Sequence, residues 1–463
     1  MCLVWRGCPV SFALFSLARQ RVINPVAPAS EQPVIQSVKM TIQASTENAV
    51  ANRPSWSLKD IIWMMGVYGT TVGAGTLFLP VEVGTRGPLV FFMMLLLGLP
   101  LSLIPHVLIC RIFMRDHQAE NAALPLFGKF FGPKGRQGIK IFFCVAHFPV
   151  TLVYVVSLVN ALDNYVTAHL HVAALNRAVL AFIAVSLLYL VLSKGRDRVV
   201  TTMSTLAIPF AVSLLLIAMM QIPSWHLSNL IQALRETTAA PAGESLKALW
   251  LALPLITFSF CSAPMMSPLS SWYQEKGKGG EQKAVRVVRL AYCAIFFSII
   301  FFVLSCVLSM PREVFIAART QNLNVLAVME GNSGAGLLFI VAPFIAMVAM
   351  TKSFLGVCLP VAETFATLIG DAAGLKDQSG RKRAKAVAFA LMFAVSLAVA
   401  YWNPDVIALI ETVCGPLIAI FLFVIPAWLV YTRSELQTLR GGMSLIVIVG
   451  GLLTVSALMY GML

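Results

Sequence analysis

Apolar residues in this chain are gathered into long runs, and the charged residues fall mainly in the stretches between them. A helix crosses the hydrocarbon core of a bilayer with about 20 residues at a rise of 1.5 Å each. Eleven runs approach or exceed that length, near residues 60–80, 87–109, 139–162, 176–193, 199–220, 246–272, 288–309, 335–360, 384–402, 406–431 and 443–461. The pattern predicts an all-α polytopic membrane protein with about 11 transmembrane helices.

Two of the runs are poorly suited to a continuous helix. The first contains GTTVGAGTLFLP, residues 69–80. There Gly69, Gly73 and Gly75 each lower helix propensity by up to about 1 kcal/mol relative to Ala, and Pro80 is expected to end the segment. The sixth contains LPLITFSFCSAPMMSPLSSW, residues 253–272, with Pro254, Pro264 and Pro268 around Ser259, Cys261 and Ser262. Small residues also serve close helix packing. The second interruption, however, lies five spans after the first, in a span that crosses the opposite way. Paired interruptions in oppositely oriented halves point to an inverted-repeat transporter with its site at the breaks. Half-helix N-termini offer N–H groups to an anion, and half-helix C-termini offer carbonyls to a cation. An amino acid, carrying both charges, suits that geometry better than a sugar, which calls for more polar and aromatic side chains.

Composition agrees with the pattern: 59% of the 463 residues are hydrophobic and 12% charged, against about 45–50% and 25% in soluble domains. The formal charge of +14 reads as topology rather than nucleic-acid binding. With a cytoplasmic N-terminus, 27 of the 34 lysines and arginines lie in the tail and inside connections and six in outside connections. An odd number of spans then puts the C-terminus in the periplasm. The remaining basic residue, Lys352, lies within the eighth run. The nine cysteines include no CxxC pair and indicate neither a disulfide framework nor a metal site.

The domain reading is an N-terminal tail, 1–55, and a transporter domain, 56–463. The tail's apolar patch of about ten residues is too short to span and lacks a clean cleavage site. Met40 opens a polar lead-in that would suffice as an N-terminus, so the residues before it read as a targeting segment or a mis-assigned start. No HExxH, P-loop or paired Cys and His motif suggests an enzyme, and no filter loop suggests a channel.

GTTVGAGTLFLP in the first span, FSFCSAP in the sixth, KSFLGVCLPVAE in the eighth and IALIETVCGPLIAIFLFVIPAW in the tenth resemble the signature segments of bacterial hydroxy and aromatic amino acid permeases. FPVTLVYVVSLVNALDNYV in the third span is similar as well, and the nearest likeness is to the serine and threonine branch. The resemblance covers residues 55–463. It implies the fold of the amino acid, polyamine and organocation superfamily: two inverted five-helix repeats, with broken first and sixth helices, plus one extra helix. It also implies proton-coupled import of a small neutral amino acid such as serine or threonine across the inner membrane. The sequence itself indicates no cofactor and no obligate protein partner. A sodium-coupled carrier, an exchanger and a transporter-fold sensor are the alternatives. The chain departs from the branch at Cys261 and Ser262, where Asn and His are usual, and at Val357 and Cys358, where His and Tyr are usual. Loss of such partners redirects substrate choice.

The predicted substrate site comprises Thr71, Gly73, Ala74 and Gly75 at the first break and Phe258, Ser259, Phe260, Cys261 and Ser262 at the second, with Tyr154 from the third span. Tyr154 is read as a hydroxyl for the substrate carboxylate or as packing. The predicted ion-coupling set is Thr351, Lys352, Ser353 and Glu411, with H+ as the coupling ion. A lysine at mid-membrane costs about 2.5–3.5 kcal/mol on insertion scales and should face the interior. In sodium-coupled relatives of the superfamily the eighth span binds the ion with hydroxyls, and the Lys352 ammonium would stand in for that cation. Glu411 fits a proton relay, an outer gate or an interfacial acid; Glu363 fits a pathway residue or a solvated helix end; His147 fits a proton carrier or a hydrogen-bonded core residue.

Overall fold

The structure is a computed structural model, and it describes residues 56–461 except 117–125, 169–175, 240, 278, 322, 333–336 and 376. The tail assigned to 1–55 lies outside the described residues. Among the described residues sixteen α-helical elements follow one another, with short 3-10 turns at Ile222–Ser224 and Ser434–Leu439 and no strand. The first span is a pair, α1 (Leu58–Thr71) and α2 (Ala74–Arg86), bent by 45° at the break. Then come α3 (Pro88–Arg115), α4 (Gly128–Ala168), α5 (Arg177–Leu192), α6 (Arg196–Met220) and the short α7 (Leu227–Thr238). The sixth span is again a pair, α8 (Ala242–Ser259) and α9 (Ala263–Gln274). It is followed by α10 (Gly280–Ser309), α11 (Arg312–Thr320), α12 (Val325–Asn332), α13 (Leu337–Ala372), α14 (Gln378–Trp402), α15 (Val406–Thr432) and α16 (Gly442–Gly461).

Eight described helices are long and apolar enough to cross a membrane, and the bent α1–α2 pair makes a ninth. The runs predicted at 176–193 and 443–461 fall on the shorter apolar helices Arg177–Leu192 and Gly442–Ala457. Both predicted interruptions are real breaks in the helices. Pro80 does not end the first span; it lies inside α2, which runs on to Arg86. Its ring removes the hydrogen bond that the Thr76 carbonyl would otherwise receive, and packing by neighbouring helices tolerates that loss.

α13 lies at the centre, packed against α4, α14, α6 and α1. α15 carries two π-turns, Ile410–Cys414 and Ile420–Val424, followed by Pro416 and Pro426. Each proline lacks the N–H that a regular turn would use, and the wider turn accommodates its ring. Outside the long helices, α7 and α11 are amphipathic and occupy segments that the run pattern marks only as connections.

Both ends of the first span are tied down by buried carboxylates. At its start Asp60 accepts the Ser57 N–H (2.7 Å) and hydroxyl (2.6 Å) and the Tyr273 hydroxyl (2.5 Å), and pairs with Lys283 (3.0 Å). At its end Glu82 pairs with Arg86 and Arg319. Arg312 donates to the Thr85 carbonyl at 3.0 and 3.1 Å and pairs with Glu236 on α7 at 3.0 Å. Hydrogen bonds from Gln232 and Arg312 hold the Glu236 carboxyl below its ordinary range.

Candidate functional site: two helix breaks and the side chains that cap them

The two breaks meet. A Cβ added to Gly75 would lie 3.0 Å from Ser259 Cα and 3.1 Å from Ser259 Oγ, so only glycine lets α2 approach the end of α8 this closely. Gly73 is small for a different reason. A Cβ there would meet the side chain of Ser353 on α13, with Ser353 Cβ at 2.8 Å. Gly75 therefore faces the second break and Gly73 faces the eighth span.

Lys352 is completely buried on α13. Its Nζ donates to the carbonyls of Gly69 (3.1 Å) and Val72, and sits 4.1 Å from the centre of the Phe210 ring on α6. Ser353 Oγ donates to the Gly69 carbonyl as well, at 3.1 Å. The last carbonyls of a helix have no intrahelical donor and carry the negative end of its dipole. The lysine amine thus caps the C-terminal end of α1 where it breaks. Thr351, its neighbour, is half-buried. Cation–ring attraction adds about 2 kcal/mol at desolvated sites.

At the second break the caps are neutral. His106 on α3 is fully buried; Nδ1 lies 2.7 Å from the Ser102 carbonyl, and Nε2 accepts the Ser262 N–H at 3.0 Å. Tyr292 on α10 donates to the Phe260 carbonyl (3.0 Å), shares a 2.6 Å hydrogen bond with Ser262 Oγ and also reaches the Thr71 side chain. Its ring lies 4.6 Å from that of His106. Neither residue stood out in the sequence as part of a site. The only available signal was a polar ring within each of two apolar runs.

One end remains open. The N–H groups of Ala74, Gly75 and Thr76 precede the first intrahelical bond of α2, from Leu77 N–H to the Gly73 carbonyl, and no side chain among the described residues caps them. Close by in sequence and space, the hydroxyls of Thr76 and Ser259 are buried without a hydrogen-bond partner. Tyr154 is buried on α4, with Cys261 and Cys414 as its electrostatic neighbours, and Phe258 and Phe260 are buried beside the break. Beyond α2, a cavity of about 340 Å³ is lined by Phe78, Ser157, Asp163, Arg177, Asn324 and Ala346 among others. Ser157 Oγ is buried there without a partner, and Arg177 is held by Asn160 Oδ1 and the Ala400 carbonyl, both at 2.8 Å.

The remaining candidates lie apart. Glu363 pairs with Arg196 on α6, with contacts of 2.8 and 3.1 Å, and does not reach Lys352. His147 is fully buried, bonded through Nδ1 to the Phe143 carbonyl at 2.9 Å, and its Nε2 has no hydrogen-bond partner. Ala74 and Glu411 belong to described helices, but their side chains lie outside the described part.

A broken first span whose carbonyl end is held by a buried lysine, facing a second broken span, is the arrangement expected of a carrier. Residues 60–462 match the tryptophan/tyrosine permease family. The chain belongs to that family. Its similarity to the serine transporter SdaC of Escherichia coli (strain K12) is 31% identity over 426 residues, 91% of this chain and 99% of the relative. The threonine/serine transporter TdcC of Escherichia fergusonii is 29% identical over 440 residues, 90% of this chain and 99% of the relative. The inner membrane transport protein YqeG of Escherichia coli (strain K12) is 29% identical over 412 residues, 88% and 99%. These relatives place the permease in the serine/threonine branch. Among solved structures, MhsT in complex with L-phenylalanine shares the fold, with a TM-score of 0.51 at 15% identity over 88% of this chain and 99% of that one. The protein is therefore a multi-pass membrane transporter.

Proposed function

We propose that this permease imports a small neutral amino acid, serine or threonine, across the bacterial inner membrane together with protons. One observation carries the substrate reading. Of the helix ends created by the two breaks, the N-terminus of α2 has no side-chain cap among the described residues, beside the unpartnered hydroxyls of Thr76 and Ser259. A carboxylate fits the N–H groups of residues 74–76, and the ammonium and hydroxyl of the substrate would meet Ser259 and the carbonyls of the second break. The narrow approach of Gly75 to Ser259 favours a small side chain. Tyr154 would complete the carboxylate's hydrogen bonds. The names of the SdaC and TdcC relatives support this substrate class.

Lys352 supports proton coupling. It fills the carbonyl end of the first break with a charge that a proton alone can add or remove, and no acidic side chain pairs with it among the described residues. The cavity by Arg177 lies on the face that the charge bias assigns to the outside, and would be the access route; the same bias puts the N-terminus in the cytoplasm.

The test is uptake of labelled amino acids by proteoliposomes, with and without an imposed pH gradient. Concentrative uptake of serine or threonine, driven by acid outside and abolished by a protonophore, is expected. Uptake that follows a sodium gradient and ignores the proton gradient would overturn the coupling, and failure of every small neutral amino acid to bind would overturn the substrate class.

A further inference from the structure

The N-terminus of a helix is a ready-made anion site, and this protein has two of them at its centre. The α2 end is open. The α9 end is largely taken up by the protein itself. Ser262 N–H goes to His106 Nε2, Pro264 has no N–H, and Met265 N–H returns to the Ser262 carbonyl at 2.9 Å, which leaves only the Ala263 N–H, beside Cys261.

His106 can do this in one form only. A carbonyl cannot donate and a backbone N–H cannot accept, so the ring is neutral with its proton on Nδ1. The bond to the Ser102 carbonyl, one turn earlier in its own helix, fixes the ring's orientation, and Tyr292 closes over it while holding both Phe260 and Ser262. The unwound stretch 260–262 is thereby pinned from α3 on one side and α10 on the other. Ser259, which faces Gly75, is the residue immediately before it.

We infer that His106 is a positioning residue for substrate: its neutral imidazole occupies the anion-binding end of α9 and fixes residues 260–262, so that a carboxylate can engage α2 alone. Removing the acceptor frees a second N–H that competes for the carboxylate and loosens the wall that carries Ser259 and Cys261. The inference rests on the amino acid reading above, and deepens it by naming what orients the substrate.

The experiment compares the full-length wild type with His106→Phe, which keeps an aromatic ring and has no nitrogen, and His106→Gln, whose amide can both donate and accept. Peptide-resolved mass spectrometry follows methanethiosulfonate labelling of Cys261 against Cys306, a buried thiol elsewhere in the fold. Proteoliposome uptake of labelled L-serine gives KM and the maximal rate. In the Phe variant, Cys261 should label about tenfold faster with Cys306 unchanged, and KM for serine should rise about tenfold with a smaller change in maximal rate. The Gln variant should stay within about threefold of wild type in both. If the Phe variant does not accumulate, His106→Leu, smaller than the ring, takes its place under the same criteria. Wild-type Cys261 labelling and wild-type KM in a folded Phe or Leu variant would overturn the inference, and so would a Gln variant as impaired as Phe. Labelling needs no substrate, so a permease that ignores serine altogether would refute the transport reading and leave the test of His106 intact.

Discussion

The sharpest test of coupling is Lys352→Met, which keeps an unbranched side chain, one atom shorter, and removes its charge. Two carbonyls, of Gly69 and Val72, lose their donor, and the Phe210 ring loses its cation. Hydrogen bonds to charged groups contribute about 1.5–3 kcal/mol each and a desolvated cation–ring contact about 2. Against this, the variant no longer buries an ammonium, whose desolvation costs several kcal/mol. The opposing quantities are of similar size, so the variant should still fold and reach the membrane. Its transport should change in kind. One proton moving down a gradient of one pH unit supplies about 1.4 kcal/mol, enough for about tenfold accumulation of a neutral substrate. The wild type should approach that ratio in proteoliposomes acid outside, while Lys352→Met should equilibrate serine and stop, yet still exchange labelled for unlabelled serine. Lys352→Arg should not restore accumulation, because guanidinium stays protonated and its planar fork does not fit where an ammonium sits. Full, pH-driven accumulation by the Met variant would remove Lys352 from the mechanism and move attention to His147, whose Nε2 is buried without a partner, and to Glu411.

Other expectations follow from the same geometry. Gly75→Leu should abolish serine binding in a scintillation proximity assay while leaving expression near wild type, whereas Gly73→Leu, which collides with Ser353 on α13, should also lower the melting temperature. Tyr154→Phe should raise KM for serine severalfold without changing the amount of protein in the membrane; an unchanged KM would return Tyr154 to packing. Glu236 is held below its ordinary carboxyl range by Gln232 and Arg312, so its contribution is present above the unfolded pKa and is lost only as pH falls through the lower folded one. Glu236→Gln should therefore leave the pH profile of uptake unchanged between about pH 5 and 8, and an altered profile there would refute that assignment. A chain beginning at Met40 should be recovered in the membrane fraction and transport serine as the full chain does.

The broken spans and Lys352 were legible because each violates what a lipid-facing helix tolerates. Glycines cluster in one run, prolines in another, and a charge lies at mid-membrane. Each is a local contradiction that sequence displays directly. His106 and Tyr292 display nothing of the kind. Ser262 lies 156 residues from the imidazole it bonds and 30 from the phenol, and an apolar run does not say which of its faces meets a break. The amphipathic helices α7 and α11 escaped because they are short and their segments were read only as connections. Pro80 misled for a physical reason too: proline ends helices in water, but inside a packed membrane bundle one missing bond is absorbed.

The contrast between the caps bears on mechanism. If His106 took a second proton, Nε2 would become a donor facing the Ser262 N–H, and the bond would turn into a repulsion. A tyrosine that gave up its proton would have nothing to donate to the Phe260 carbonyl. Lysine differs from both. A neutral amine still carries two N–H donors, enough for the carbonyls of Gly69 and Val72, while the attraction to the dipole end of α1 and to the Phe210 ring disappears. A proton can therefore leave the first break without stripping it of hydrogen bonds, loosening α1 against α13 by degrees. Of the ionisable caps, only Lys352 on the eighth span can be cycled through protonation without dismantling the end it covers, and it lies at the break whose other end, the N-terminus of α2, has no side-chain cap among the described residues.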